Sequence, residues 1–154
     1  MLSIPSRELR ALATLTESGV KYLLFGGRAR QHYGINRQIE DVDLFVGYEP
    51  ENATRLWAAI VNIVGHFPAF RIADLGKARK HIRLLGEDEP KLDMLTSVPG
   101  LDFATAFNSR EVVLQDAAAV SVMSKDDLIG AKRAPAERDP RAALRRVKAV
   151  ICCP

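Results

Sequence analysis

The chain has 154 residues, of which 47% are hydrophobic and 27% charged, with a net charge of +3. That size and balance suit one domain with a real apolar core, and exclude a disordered or disulfide-stapled scaffold. No apolar run approaches the ~20 residues of a membrane span, so a membrane location is not expected. The start, MLSIPSRELRAL, lacks a basic region followed by an apolar core, so no secretory signal is read there. Cys152 and Cys153 are adjacent and outside any metal-ligand spacing, which predicts a reducing, cytoplasmic setting. The charge is uneven: residues 125–154 carry eight Lys or Arg against four Asp or Glu. A basic end suits a polyanion, and it suits a solvated helix face equally well.

In chain order, Ser6 predicts the cap of a helix over 7–17, which Gly19 ends. The apolar run Tyr22–Phe25 reads as a buried strand, followed by the tight turn Gly26-Gly27 and a short helix, Ala29 to Tyr33, that stops at Gly34. A second strand, Val42–Val46, carries Asp41 and Asp43 at its entrance. Residues two apart on a strand point the same way, so both carboxylates reach one side. Like charges held together are costly unless a cation lies between them, and Mg²⁺ takes one or two carboxylates plus substrate phosphates. Either feature alone is more commonly a plain turn or a solvated strand end. Their order and spacing together point to a site.

Asn52–Val64 shows an apolar helical stripe, with Trp57 beside it in a packing role. Arg71–Leu75 and His81–Leu85 read as strands joined by the basic loop 76–80, a candidate phosphate contact. Residues 87–90 read as a solvated acidic turn. The strand 91–96 holds Asp93 within an otherwise β-forming run. Strand interiors are poor in Asp, so a hydrogen bond or a metal shared with Asp41 and Asp43 has to account for it. Asp102 reads as a helix cap, and Glu111–Leu114 and Ala119–Met123 as strands. Ser124, with Asp127 three residues on, predicts a helix start, and Asp139-Pro140 predicts a last helix with Leu144, Val147, Val150 and Ile151 on its buried stripe. The fold expected is thus one α/β (α+β) domain over 1–154, a central mixed sheet flanked by helices, with C-terminal helices over about 124–152.

The apolar strand, Gly26-Gly27, short helix and Asp41-Val42-Asp43 together resemble the nucleotidyltransferase superfamily, the fold shared with DNA polymerase β. KLDMLTSVPGLDF extends the likeness to its small bacterial Gly-Gly members, some of them toxin–antitoxin components. The resemblance implies a nucleotidyltransferase fold and transfer of a nucleoside monophosphate from an NTP to an acceptor hydroxyl, on a partner protein or tRNA. It implies Asp41, Asp43 and Asp93 as catalytic carboxylates binding Mg²⁺ or Mn²⁺. Gly26, Gly27, Arg28, Arg37 and Lys132 would contact the nucleotide, Gly27 standing where larger transferases carry Ser. The competing reading is a catalytically silent binding module, an antitoxin or toxin partner. A nucleic-acid binder is disfavoured, because aromatics are only 6% and no DNA-reading motif is present.

Overall fold

A computed structural model describes residues 1–35, 41–84, 86–133 and 146–149, with side chains through residue 131. Helix α1 (Ser6–Glu17) buries Leu9, Ala11, Leu12 and Leu15, one stripe at helical spacing. Strand β1 (Tyr22–Phe25) is buried along most of its length and runs straight into α2 (Gly26–His32). Strand β2 (Val42–Val46) leads to α3 (Pro50–Val64), which has Pro50 in its first turn and Gly65 at φ +80° as its C-cap. A single turn, α4 (Ile72–Leu75), precedes β3 (His81–Leu84) and β4 (Leu92–Leu95). Helix α5 (Phe103–Asn108), strands β5 (Glu111–Gln115) and β6 (Ala118–Val122), helix α6 (Lys125–Arg133) and strand β7 (Arg146–Ala149) complete the described chain.

The strands form one mixed sheet in the order β5-β6-β1-β2-β4-β3-β7. β1 and β2 are antiparallel, with Phe25 opposite Asp43, while β2 and β4 run parallel, with Asp43 opposite Asp93. β3 pairs antiparallel to β4, which sets Arg83 opposite Asp93. Leu12, Leu15, Leu23, Leu24, Leu44, Leu56 and Ile60 are fully buried, so helices cover the central strands, whose continuous apolar runs require a cover on each side. The mixed sheet with flanking helices is the architecture the sequence predicts.

Several local expectations are corrected. Ser6 is the first helical residue and Pro5 the N-cap, with no side-chain cap bond. Helix α2 begins at Gly26, not Ala29, because Gly26 adopts φ +70° and turns the chain at once. Arg71–Leu75 is not a strand. The Asp74 carboxylate accepts the Arg71 backbone N–H at 3.0 Å, and that local bond closes a helical turn where alternation suggested β. The C-terminal helices expected over about 124–152 are corrected at 146–149. Residues 146–149 are a strand, Ile82 lying opposite Val147, since the open edge of β3 offers backbone partners. Asp139-Pro140 and the remainder of that predicted helix lie outside the described residues. The acidic turn is only partly solvated: Glu89 folds inward to His66, 3.2 Å away.

Other expectations hold. The Asp102 carboxylate accepts the Thr105 N–H at 3.1 Å, and the Ser124 hydroxyl accepts the Asp127 N–H at 3.2 Å, as caps of α5 and α6. Trp57 packs against Phe67 and Phe70. Among the described residues no helix is long and apolar enough to cross a membrane.

Candidate functional site

The site forms where β1 ends, β2 begins and β4 passes beside it. Parallel pairing of β2 and β4 puts Asp43 directly beside Asp93, and register partners share a face of the sheet. Asp41, two residues before Asp43, stands at the same edge and is exposed. Gly26 closes the fourth side. Its φ of +70° favours glycine, and a Cβ there would collide with the Asp43 carboxylate. The glycine turn and the acid that sequence placed seventeen residues apart are therefore in contact.

The two neighbouring acids have opposite electrostatics. Burial, then the charges of Asp93 and Asp41, push the Asp43 carboxyl up to about 6. Burial acts the same way on Asp93, which is 6% exposed, but hydrogen bonds from His81 and Arg83 overcome it and hold that carboxyl at about 2. Arg83 grips Asp93 with two nitrogens, Nε to Oδ1 at 2.6 Å and Nη2 to Oδ2 at 3.2 Å. His81 Nε2 lies 3.2 Å from the same Oδ1. An ionised carboxylate only accepts, so that Nε2 carries a proton and donates it. The Arg83 guanidinium is in turn raised above its ordinary value by its hydrogen bond to Asp93.

Sequence reasoning missed His81 and Arg83. The available signal was their own alternation: two cationic-type residues two apart on a strand antiparallel to the Asp93 strand face that acid if the hairpin register allows. The register depends on the turn at 86–90, where no standard hairpin signal stands.

The other candidates divide. Gly26 and Gly27 open α2 beside Asp43. Arg28 turns away: its Nη1 donates to the Ser3 carbonyl at 2.7 Å, pinning the N-terminal segment. Arg37 lies outside the described residues. Lys132 is in α6, which packs against α2, and its side chain is not described. Of the basic loop, Lys80 pairs with Asp74 at 3.9 Å, and the Arg79 backbone N–H is bound by the Ser97 hydroxyl.

For a divalent ion the donor set is suitable in part. Asp41 and Asp43 are oxygen ligands of the kind Mg²⁺ takes, and the repulsion that raises Asp43 is what a cation would relieve. Asp93 is already neutralised by Arg83. Among the described residues no three His, Cys, Asp or Glu side chains converge as a metal-holding group. A separate hollow, lined by Lys21, Glu49, Asn52, Phe103 and Phe107, lies at the opposite end of β1 and β2 and has no part in this cluster. No protein-family model matches the chain, and no curated protein matches it in sequence.

Proposed function

We propose that the chain is a metal-dependent nucleotidyltransferase, moving a nucleoside monophosphate from an NTP to an acceptor hydroxyl on a partner protein or tRNA. The observation that carries this reading is the contact of the Gly26 turn with Asp43, itself the register partner of Asp93. Three features shared with the nucleotidyltransferase resemblance thus meet at one sheet edge.

Asp41 and Asp43 would hold Mg²⁺ or Mn²⁺, which when bound screens the triphosphate and activates the α-phosphorus. Residues Gly26 and Gly27 present first-turn backbone N–H groups, which have no intrahelical acceptor, next to that position. Gly27, Arg37 and Lys132 are proposed for the phosphates. Arg28 is not, since its guanidinium serves the Ser3 carbonyl. The acceptor oxygen forms a bond to the α-phosphorus as the bond to the bridging oxygen breaks, and pyrophosphate leaves. Asp93 orients the acceptor hydroxyl. A carboxyl held at about 2 is a weak base, so the hydroxyl proton passes to solvent water rather than resting on Asp93.

One observation favours a second reading, a catalytically silent module that binds a partner chain: the arginine grip on Asp93, which would suit an acid kept for structure. Label transfer from α-³²P-NTPs to candidate acceptors separates the two. The transferase reading expects transfer by the wild type, none by Asp93→Ala, and an NTP affinity for that variant within a few-fold of wild type. Equal transfer by both proteins would remove Asp93 from the reaction, and no transfer to any acceptor would leave the silent module in the lead.

A further inference from the structure

We infer that Arg83 occupies the place of a second metal ion, so that the site takes a single divalent cation, at Asp41 and Asp43, and reserves Asp93 for the acceptor. The inference rests on the transferase reading and specifies how its site is charged.

Lone pairs decide it. A carboxylate has about four acceptor positions, two on each oxygen. On Asp93, Oδ1 takes Arg83 Nε at 2.6 Å and His81 Nε2 at 3.2 Å, which fills it. Oδ2 takes Arg83 Nη2 at 3.2 Å and retains one position. A metal ion at that position would share one small, buried carboxylate with a guanidinium bound side-on, two cations within a few ångströms at low effective dielectric. A neutral hydroxyl donor there meets no such penalty.

The pairing is built into the sheet rather than chosen by a mobile surface arginine. Arg83 and Asp93 are register partners across the β3–β4 hairpin, and the Arg83 side chain is 35% exposed against 8% for Asp93, so the guanidinium reaches in over the buried acid. His81, two residues earlier on the same face, closes the other flank. On the Asp41–Asp43 side, among the described residues, only longer-range attraction from His81 and Arg83 tempers the repulsion at Asp43. Among the described residues, one half of the acid cluster is gripped by a guanidinium and the other half is not. The arginine is a positioning residue, acting through Asp93.

The test counts ions rather than turnover. Mn²⁺ alone is titrated into the metal-free protein, and free ion is read by electron paramagnetic resonance. The wild type is expected to bind one Mn²⁺, and Asp43→Asn none. Arg83→Gln, which removes the charge and leaves a polar side chain, is expected to bind two, while Arg83→Lys restores one. Circular dichroism checks that each variant is folded, and Arg83→Met, which also removes the charge and is likewise expected to bind two, carries the comparison if Arg83→Gln is not. Two ions on the wild type would overturn the inference and leave the transferase reading standing. No ion on the wild type would instead remove the reading beneath it. A single ion on folded Arg83→Gln would show that the arginine does not exclude the second cation, and the inference would fall.

Discussion

Asp43 and Asp93 stand side by side on parallel strands, yet one is held half-protonated near pH 6 and the other ionised down to about pH 2. The difference is their partners: Asp93 has Arg83 and His81, while Asp43 has other carboxylates and a glycine backbone. Their linkage to folding has opposite sign. Asp43 binds its proton more tightly folded than unfolded, so metal-free stability falls as pH rises from about 4 to about 6. The loss is on the order of 2–3 kcal/mol once the group is ionised. Asp93 adds stability above its ordinary pKa, and that is lost as pH falls from about 4 towards 2. Asp43→Asn should accordingly raise metal-free stability by about 1–3 kcal/mol at pH 8, with the gain vanishing near pH 4. Urea unfolding in chelator across that range measures it, and an Asn variant no more stable than wild type at pH 8 would mean that Asp43 is not crowded.

At the scale of elements, the site depends on β1 and β2 being held together at both ends. At one end Gly26 turns against Asp43. At the other the buried Asn52 side chain, on α3, accepts the Lys21 N–H at 2.7 Å and donates to the Gly47 carbonyl at 2.6 Å and the Lys21 carbonyl at 3.1 Å. Asn52 thereby replaces the ladder bonds that the two strands lose as they part. Asn52→Ala should leave those backbone groups unpaired in a buried place and cost about 2–3 kcal/mol. Chemical unfolding reads the loss, and a cost under about 0.5 kcal/mol would show that water satisfies the groups instead. The same Ala variant should keep its Mn²⁺ count, because the acid cluster is at the far end of both strands.

For the molecule as a whole, metal and stability are coupled. An ion that binds only the folded chain stabilises it by about 2.7 kcal/mol at a hundred times its dissociation constant. For a protein of this length that corresponds to a Tm rise of about 5–10 °C. Wild type should show that rise with saturating Mn²⁺ over a chelated baseline, and Asp43→Asn should show none. A wild-type Tm indifferent to Mg²⁺ and Mn²⁺ alike would count against any metal function of the cluster. The mixed sheet is what makes this coupling possible, since the acids reach the site from strands separated by α3, α4 and β3 in sequence.

The residue pattern by itself determined the strands 22–25 and 42–46, the mixed architecture, the caps at Asp102 and Ser124, and the association of Gly26, Asp41, Asp43 and Asp93. These follow from local signals: apolar runs, glycine conformations, capping side chains and an acid in a strand interior. Only tertiary structure decided what faces what. Arg71–Leu75 became a turn of helix because one Asp74 hydrogen bond outweighed alternation, and 146–149 became a strand because β3 offered an open edge. Arg28 went to the Ser3 carbonyl instead of the phosphate side. Above all, Arg83 and His81 acquired their meaning from a hairpin register that no local residue specifies, and a one-residue slip would have turned both away from Asp93. Local chemistry is written in residue order, whereas electrostatic partnership depends on distance across strands, which only the assembled sheet sets.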